Sequence, residues 1–116
     1  MANTFKVKSN DAMATSASPP LTLYTVPSST TAIVLGLILA NVHSASVTAS
    51  VKLVSDTSDT ETNEDTLLVK DVSIPVGSSL EVLSGSKVVL QTTDDILIDC
   101  SVSAKIDATL SIMEQT

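Results

Sequence analysis

Arginine and tryptophan are missing from this chain, aromatic residues make up 2% of it, and one cysteine, three glycines and four prolines are spread over 116 residues. Each shortage excludes something. The six basic side chains are all lysines (Lys6, Lys8, Lys52, Lys70, Lys87 and Lys105), scattered along a chain whose formal net charge is −7. Nucleic-acid binding therefore lacks both its electrostatic footing and its stacking platforms. The same shortage of aromatic platforms argues against a sugar-binding module. Cys100 stands alone, forms no intrachain disulfide and reads as a small buried hydrophobe. No Cys/His set exists to hold zinc. Gly36, Gly77 and Gly85 are isolated, so no glycine-rich loop cradles phosphate. His43 is the only histidine, in a turn beside Asn41 and Ser44, and no G-x-S-x-G elbow accompanies it. A nucleophile needs a base oriented by a third group, so the chain reads as noncatalytic and without a cofactor. No apolar stretch follows basic residues at the N-terminus, which predicts a soluble product made in the cytoplasm with no membrane partner.

What is abundant is aliphatic and hydroxyl-bearing: Val, Leu, Ile and Ala for a core, Ser and Thr for outer faces. The dominant stretch is residues 31–42, TAIVLGLILANV, bounded by Pro27 and a Ser/Thr cluster before it and by Asn41, His43 and Ser44 at its end. It is too short for a membrane-spanning helix, which needs about 20 apolar residues. Its β-branched content (Ile33, Val34, Ile38, Val42) favours a strand. Both its odd and its even positions are apolar, so neither face is suited to water, and the strand is expected to be covered on both sides. The fold would cover one side and another copy of the chain the other. The odd set, Ile33, Leu35, Leu37 and Leu39, is the candidate oligomer interface.

Residues 1–20, rich in Ala, Ser, Thr and Asn and ending in Pro19-Pro20, read as an extended N-terminal arm preceding a body of residues 21–116. Phe5, Val7 and Met13 are its candidate anchors on a neighbouring subunit. In the body, residues 21–26 alternate and stop at Pro27, and residues 46–55 alternate with Val47, Ala49, Val51 and Leu53 on one face. Further strands are predicted over 66–72, 79–83 and 87–91, with a Pro75–Gly77 turn and a Ser84-Gly85-Ser86 turn between them. From Asp94-Asp95 onward the even positions are apolar through Ile112, too long a run for one strand. A three-residue turn at Ser103-Ala104-Lys105 would keep that phase, which predicts a hairpin with Val102 opposite Ile106. About eight short strands and no helix predict an all-β, antiparallel β-sandwich, with a jelly roll as the preferred topology.

The motifs Leu23-Tyr24-Thr25-Val26-Pro27, the β-branched strand ending in Asn41, residues 72–80 (VSIPVGSSL), Val88-Val89-Leu90 with Asp94-Asp95-Ile96, and the closing segment up to Glu114 carry a resemblance. Over roughly residues 21–115 the chain resembles small structural proteins of tailed bacteriophages, especially virion proteins of phages infecting marine cyanobacteria. The resemblance implies a β-sandwich particle component of head, neck or tail, oligomeric and without catalysis, and it transfers strands and turns but no functional residues.

The expectation is therefore a virion structural protein that associates with itself, as a trimer or ring, and with other virion proteins, decorating or adapting capsid, neck or tail. The alternative is a receptor-binding or fibre-associated module of a phage tail. The acidic loop 56–65 offers Asp56, Asp59, Glu61, Glu64 and Asp65 as oxygen donors, and Ca²⁺ takes about six to eight oxygens. Its spacing lacks the alternating aspartates and central glycine of a Ca²⁺ loop, so it is read as a solvated charge run with no metal.

Overall fold

Period-2 alternation, punctuated by Pro, Gly and Asp, yields nine antiparallel strands and no helix among the described residues, which are 2–13, 15, 20–55, 64–83 and 87–116 of a computed structural model. The strands are β1 (Asn3–Asn10), β2 (Leu21–Thr25), β3 (Thr31–Asn41), β4 (Val47–Val54), β5 (Thr66–Ile74), β6 (Ser79–Glu81), β7 (Val88–Leu90), β8 (Asp95–Cys100) and β9 (Ile106–Gln115). Sheet A runs β1-β9-β3, with the short β6 and β7 both pairing along the far side of β3. Sheet B runs β2-β8-β4-β5. The chain is an all-β antiparallel sandwich, as its alternation predicts. The Ser84-Gly85-Ser86 turn and residues 56–63 of the acidic loop lie outside the described residues.

The core is one buried cluster fed from both sheets. Val47, Ala49, Val51, Ile96, Ile98 and Cys100 enter it from sheet B, and Ile106, Ala108, Leu110 and Ile112 from sheet A. The unbroken even-numbered apolar phase of the C-terminal third thus has a different cause from the predicted hairpin. β8 and β9 belong to different sheets, and Val102 does not pair with Ile106. Residues 101–105 cross from one layer to the other, with Ala104 in the left-handed region at φ 59°. Strands that face the same core from opposite layers keep the same phase without touching edge to edge.

The turns follow their chemistry. Gly77 has φ 73°, the positive value that the third residue of a type II turn demands, and the Ser78 N–H donates to the Pro75 carbonyl at 3.1 Å. Asp94 is buried because its carboxylate has donors: Oδ2 accepts from the Ser55 hydroxyl at 3.1 Å and from the Gln91 N–H at 3.0 Å. Asn41, also buried, braces the loop beyond β3. Its Nδ2 donates to the Ala45 and Ile74 carbonyls at 3.0 and 2.8 Å, and its Oδ1 accepts from the His43 N–H at 2.7 Å. His43 thus sits in a structural loop clamp.

The N-terminal segment corrects the sequence-based expectation. Residues 3–10 are extended, but they form an edge strand on their own body, in register with β9 from Asn3↔Gln115 to Asn10↔Ala108. Met13 is wholly buried in the same core, its carbonyl accepting the Ala104 N–H at 2.9 Å, and Thr15 bridges in parallel to Cys100 of sheet B. Met13 therefore anchors the segment to its own sandwich, not to a neighbouring subunit. The thioether is a flexible filler for the gap where the chain passes from one layer to the other.

Candidate self-association face

Register decides which side of sheet A each residue occupies. β9 sends Ala108, Leu110, Ile112 and Glu114 inward and Thr109, Ser111, Met113 and Gln115 outward. β3 begins in step: Ala32 and Val34 are buried, and Ile33 faces out opposite Met113. The pairing then slips. Val34 partners Ile112 but Gly36 partners Ser111, so Leu35 is the extra residue of a β-bulge. Past the bulge the phase is inverted, which puts Leu37 (1% exposed) and Leu39 (0%) inside and Ile38 (43%) outside.

The four residues proposed as one interface are thereby split. Ile33 and Leu35 lie on the outer face, while Leu37 and Leu39 belong to the core and are unavailable to a partner. The bulge lets one strand bury both an even pair, Ala32 and Val34, and an odd pair, Leu37 and Leu39, on the same side. The isolated Gly36 inside an apolar strand is the sequence signal for it.

The outer face that results is continuous. Phe5 pairs with Met113, Met113 with Ile33, and Ile33 with Val89, so one apolar row crosses β1, β9, β3 and β7. Val7 pairs with Ser111 in the next row, beside Leu35 and Gly36. Phe5, Val7 and Val89 are 72%, 62% and 60% exposed. Monomers seldom leave a contiguous apolar patch of several hundred Å² open to water without a use for it. Two of the three proposed arm anchors, Phe5 and Val7, thus lie on this face, though on the chain's own sheet. Met113, Ile38 and Val89 are members that sequence pattern alone missed, because their strands' sheet partners are far away in the chain.

The same face is free of charge where the strands are central. Among the described strand residues that register turns outward, the charged ones are Glu81 and Asp107, opposite Ile38 and Ala40 at the far end. Lys6 and Lys8 alternate to the other side of β1, in register with Ile112 and Leu110.

On that inner side a polar group closes the seam between the sheets. Glu114 is buried, with Lys6 Nζ at 2.8 Å from Oε1 and the Tyr24 hydroxyl donating to Oε2 at 2.5 Å. These donors, Lys6 first and Tyr24 second, hold the Glu114 carboxyl below its ordinary range, and burial followed by the bond to Glu114 pushes the Tyr24 hydroxyl well up. The trio spans β1, β9 and β2 and ties sheet A to sheet B. Because the folded pKa of Glu114 is depressed, its stabilisation is fully present above the unfolded carboxylate value of about 4.3 and is lost as pH falls through the folded value. Tyr24 works the other way: its folded pKa is raised, so its contribution is complete below about pH 10 and disappears as pH rises beyond that. Glu114→Gln is expected to cost roughly 1–2 kcal/mol at neutral pH. The gap between the two melting curves should narrow as pH is lowered towards 3. Burial and the Asp71 charge raise the Asp99 pKa, which acts in the opposite direction. That effect is common to both proteins and cancels from the difference. Thermal melts of both proteins from pH 3 to 8 check this, and a constant offset would refute the assignment.

Cys100 donates from Sγ to the Val102 carbonyl at 2.9 Å, and burial pushes its thiol pKa up, so the neutral thiol persists at neutral pH. Among the described residues, no group of three or more His, Cys, Asp or Glu side chains converges in a way that could hold a metal ion. Asp56, Asp59 and Glu61 lie outside those residues, whereas Glu64 and Asp65 are exposed. No protein-family model and no curated protein sequence matches the chain. Its functional reading accordingly rests on the outer face of sheet A and on the sequence resemblance.

Proposed function

We propose that this chain is a noncatalytic structural subunit of a bacteriophage particle, which associates with copies of itself and with other virion proteins to decorate or adapt the capsid, neck or tail. The observation that supports self-association is the apolar Phe5-Met113-Ile33-Val89 row on the outer face of sheet A, a face uncharged where its strands are central, in a molecule of net charge −7. Two such molecules repel each other over most approaches, and the centre of this face, with Glu81 and Asp107 confined to its far end, is where they can meet without opposing carboxylates. Burying apolar area there contributes about 25 cal/mol per Å² before the costs of association. The polar groups described above act as braces: Asn41 on a loop, Asp94 on a turn, and Glu114 on the seam between sheets. The assignment to a virion comes from the resemblance of residues 21–115 to small phage structural proteins.

Light scattering on the purified chain tests the self-association. The expected mass is a multiple of the 12.0 kDa protomer, falling back to it on dilution. A species that stays at the protomer mass up to millimolar concentration would refute self-association. The virion assignment predicts that the chain copurifies with intact particles and appears as a sandwich-shaped density in their cryo-electron microscopy maps. Particles devoid of it would refute that part.

A further inference from the structure

The outer face of sheet A carries both a knob and a socket, and we infer that they engage each other across a two-fold axis between two copies of this chain. This rests on the self-association proposed above and specifies its geometry. The socket is made by the β3 bulge. Where Leu35 is squeezed out and Gly36 presents no side chain, a depression of about 200 Å³ opens between Leu35, Ile38, Thr109 and Ser111, with Leu83 at its side and Glu81 on its rim opposite Ile38. A cavity of about 150 Å³ is enough for a benzene ring, so one aromatic side chain fits. The knob is Phe5, the chain's only phenylalanine, 72% exposed on the same face.

Their relative positions satisfy two-fold symmetry. Phe5 lies in the Met113 row on β1, and Gly36 in the Ser111 row on β3, with β9 between them. The offset is two strands, about 10 Å, across the sheet and one residue pair, about 7 Å, along it. An axis lying in the plane of contact, over β9 between Met113 and Ser111 and perpendicular to the line joining knob and socket, exchanges the two. Each Phe5 then enters the other copy's socket, and the two Met113 side chains meet near the axis. An isologous contact of this kind needs a self-complementary patch, and one face that holds both parts supplies it. Charge permits the same occupant: the Met113 and Ser111 rows, over which the axis runs, hold no carboxylate, and Glu81 stands on the β6 side of the socket, away from the axis. An isologous pair uses this one face twice, whereas a trimer or ring would join two different surfaces of each subunit.

The test uses disulfide trapping and a socket filler. A Cβ built on Gly36 meets no atom within 4 Å, so Gly36→Cys and Gly36→Leu are accommodated by the protomer, and Phe5→Cys alters an exposed side chain. Phe5→Cys and Gly36→Cys proteins, mixed, exchanged and oxidised, should give a covalent dimer containing one of each. Neither variant alone should do so, and the native Cys100 is buried. Gly36→Leu should weaken self-association at least about 30-fold while leaving the melting temperature of the dilute protomer unchanged. If the wild-type chain associates but the mixture traps no more dimer than the separate variants, or Gly36→Leu associates like wild type, the two-fold contact is refuted and self-association stands. If the wild-type chain never leaves the protomer mass, both are refuted.

Discussion

Leu37→Asp is expected to abolish the folded state, whereas Leu35→Asp, two residues away on the same strand, should leave the fold intact and remove only self-association. The difference is created by the bulge. Leu37 is 1% exposed and points between the sheets, where an ionised carboxylate would have no partner. The carboxyl would have to take up a proton or draw in water, and either route, added to the lost leucine packing, removes a large part of the roughly 5–15 kcal/mol that stabilises a domain of this kind. Even Leu37→Ala, which removes volume without adding charge, should cost about 2–5 kcal/mol. Leu35 is 39% exposed on the outer face, so its replacement should change protomer stability by less than about 1 kcal/mol. Circular dichroism melts report the fold, and light scattering reports the association. Equal loss of structure in the two variants would show that the phase change at Gly36 is wrong.

Deleting residues 1–13 is the second large perturbation, and its expected outcome opposes that of an arm that merely reaches to a neighbour. The deletion removes the whole of β1, takes Met13 out of the core and leaves Glu114 without the Lys6 ammonium. Removal of a fully buried Met side chain alone is worth about 2–5 kcal/mol, and the exposed edge of β9 would present unpaired backbone groups along its length. The truncated chain is expected to be unfolded or aggregated at 25 °C. Met13→Ala provides the graded version, with a loss of about 2–5 kcal/mol in urea denaturation. A truncated chain that melts within a few degrees of the intact one would return the segment to the status of a dispensable arm.

The pairing interface and the stability core are thus separate sets of residues on the same strands. Phe5, Val7, Ile33, Leu35 and Val89 can be changed without reaching the interior, which is held by Leu37, Leu39, Leu110, Ile112 and their partners in sheet B. This separation makes the face accessible to mutation, and it explains how residues 31–42 carry apolar side chains at nearly every position. One half of that set answers to the core and the other half to the outer surface.

Strand positions, turns and inward phases were legible in the residues themselves. Alternation is a local property with a period of two, so residues 47–53 and 96–112 declare which side faces the core wherever their partners lie. Pro75, Gly77 and Asp94 mark turns because their constraints on the backbone and their hydrogen bonds act within a few residues. Only the tertiary structure decided which sheet each strand joined, because β8 and β9 show the same phase whether they pair with each other or face one core from opposite layers. It likewise decided that residues 3–10 close onto β9, since pairing between opposite ends of the sequence leaves no local trace. The bulge at Leu35 sits between these cases: Gly36 announces it, but the direction of the phase change depends on the register with β9. That register turned Leu37 and Leu39 inward and assembled Phe5, Met113, Ile33 and Val89 into one row.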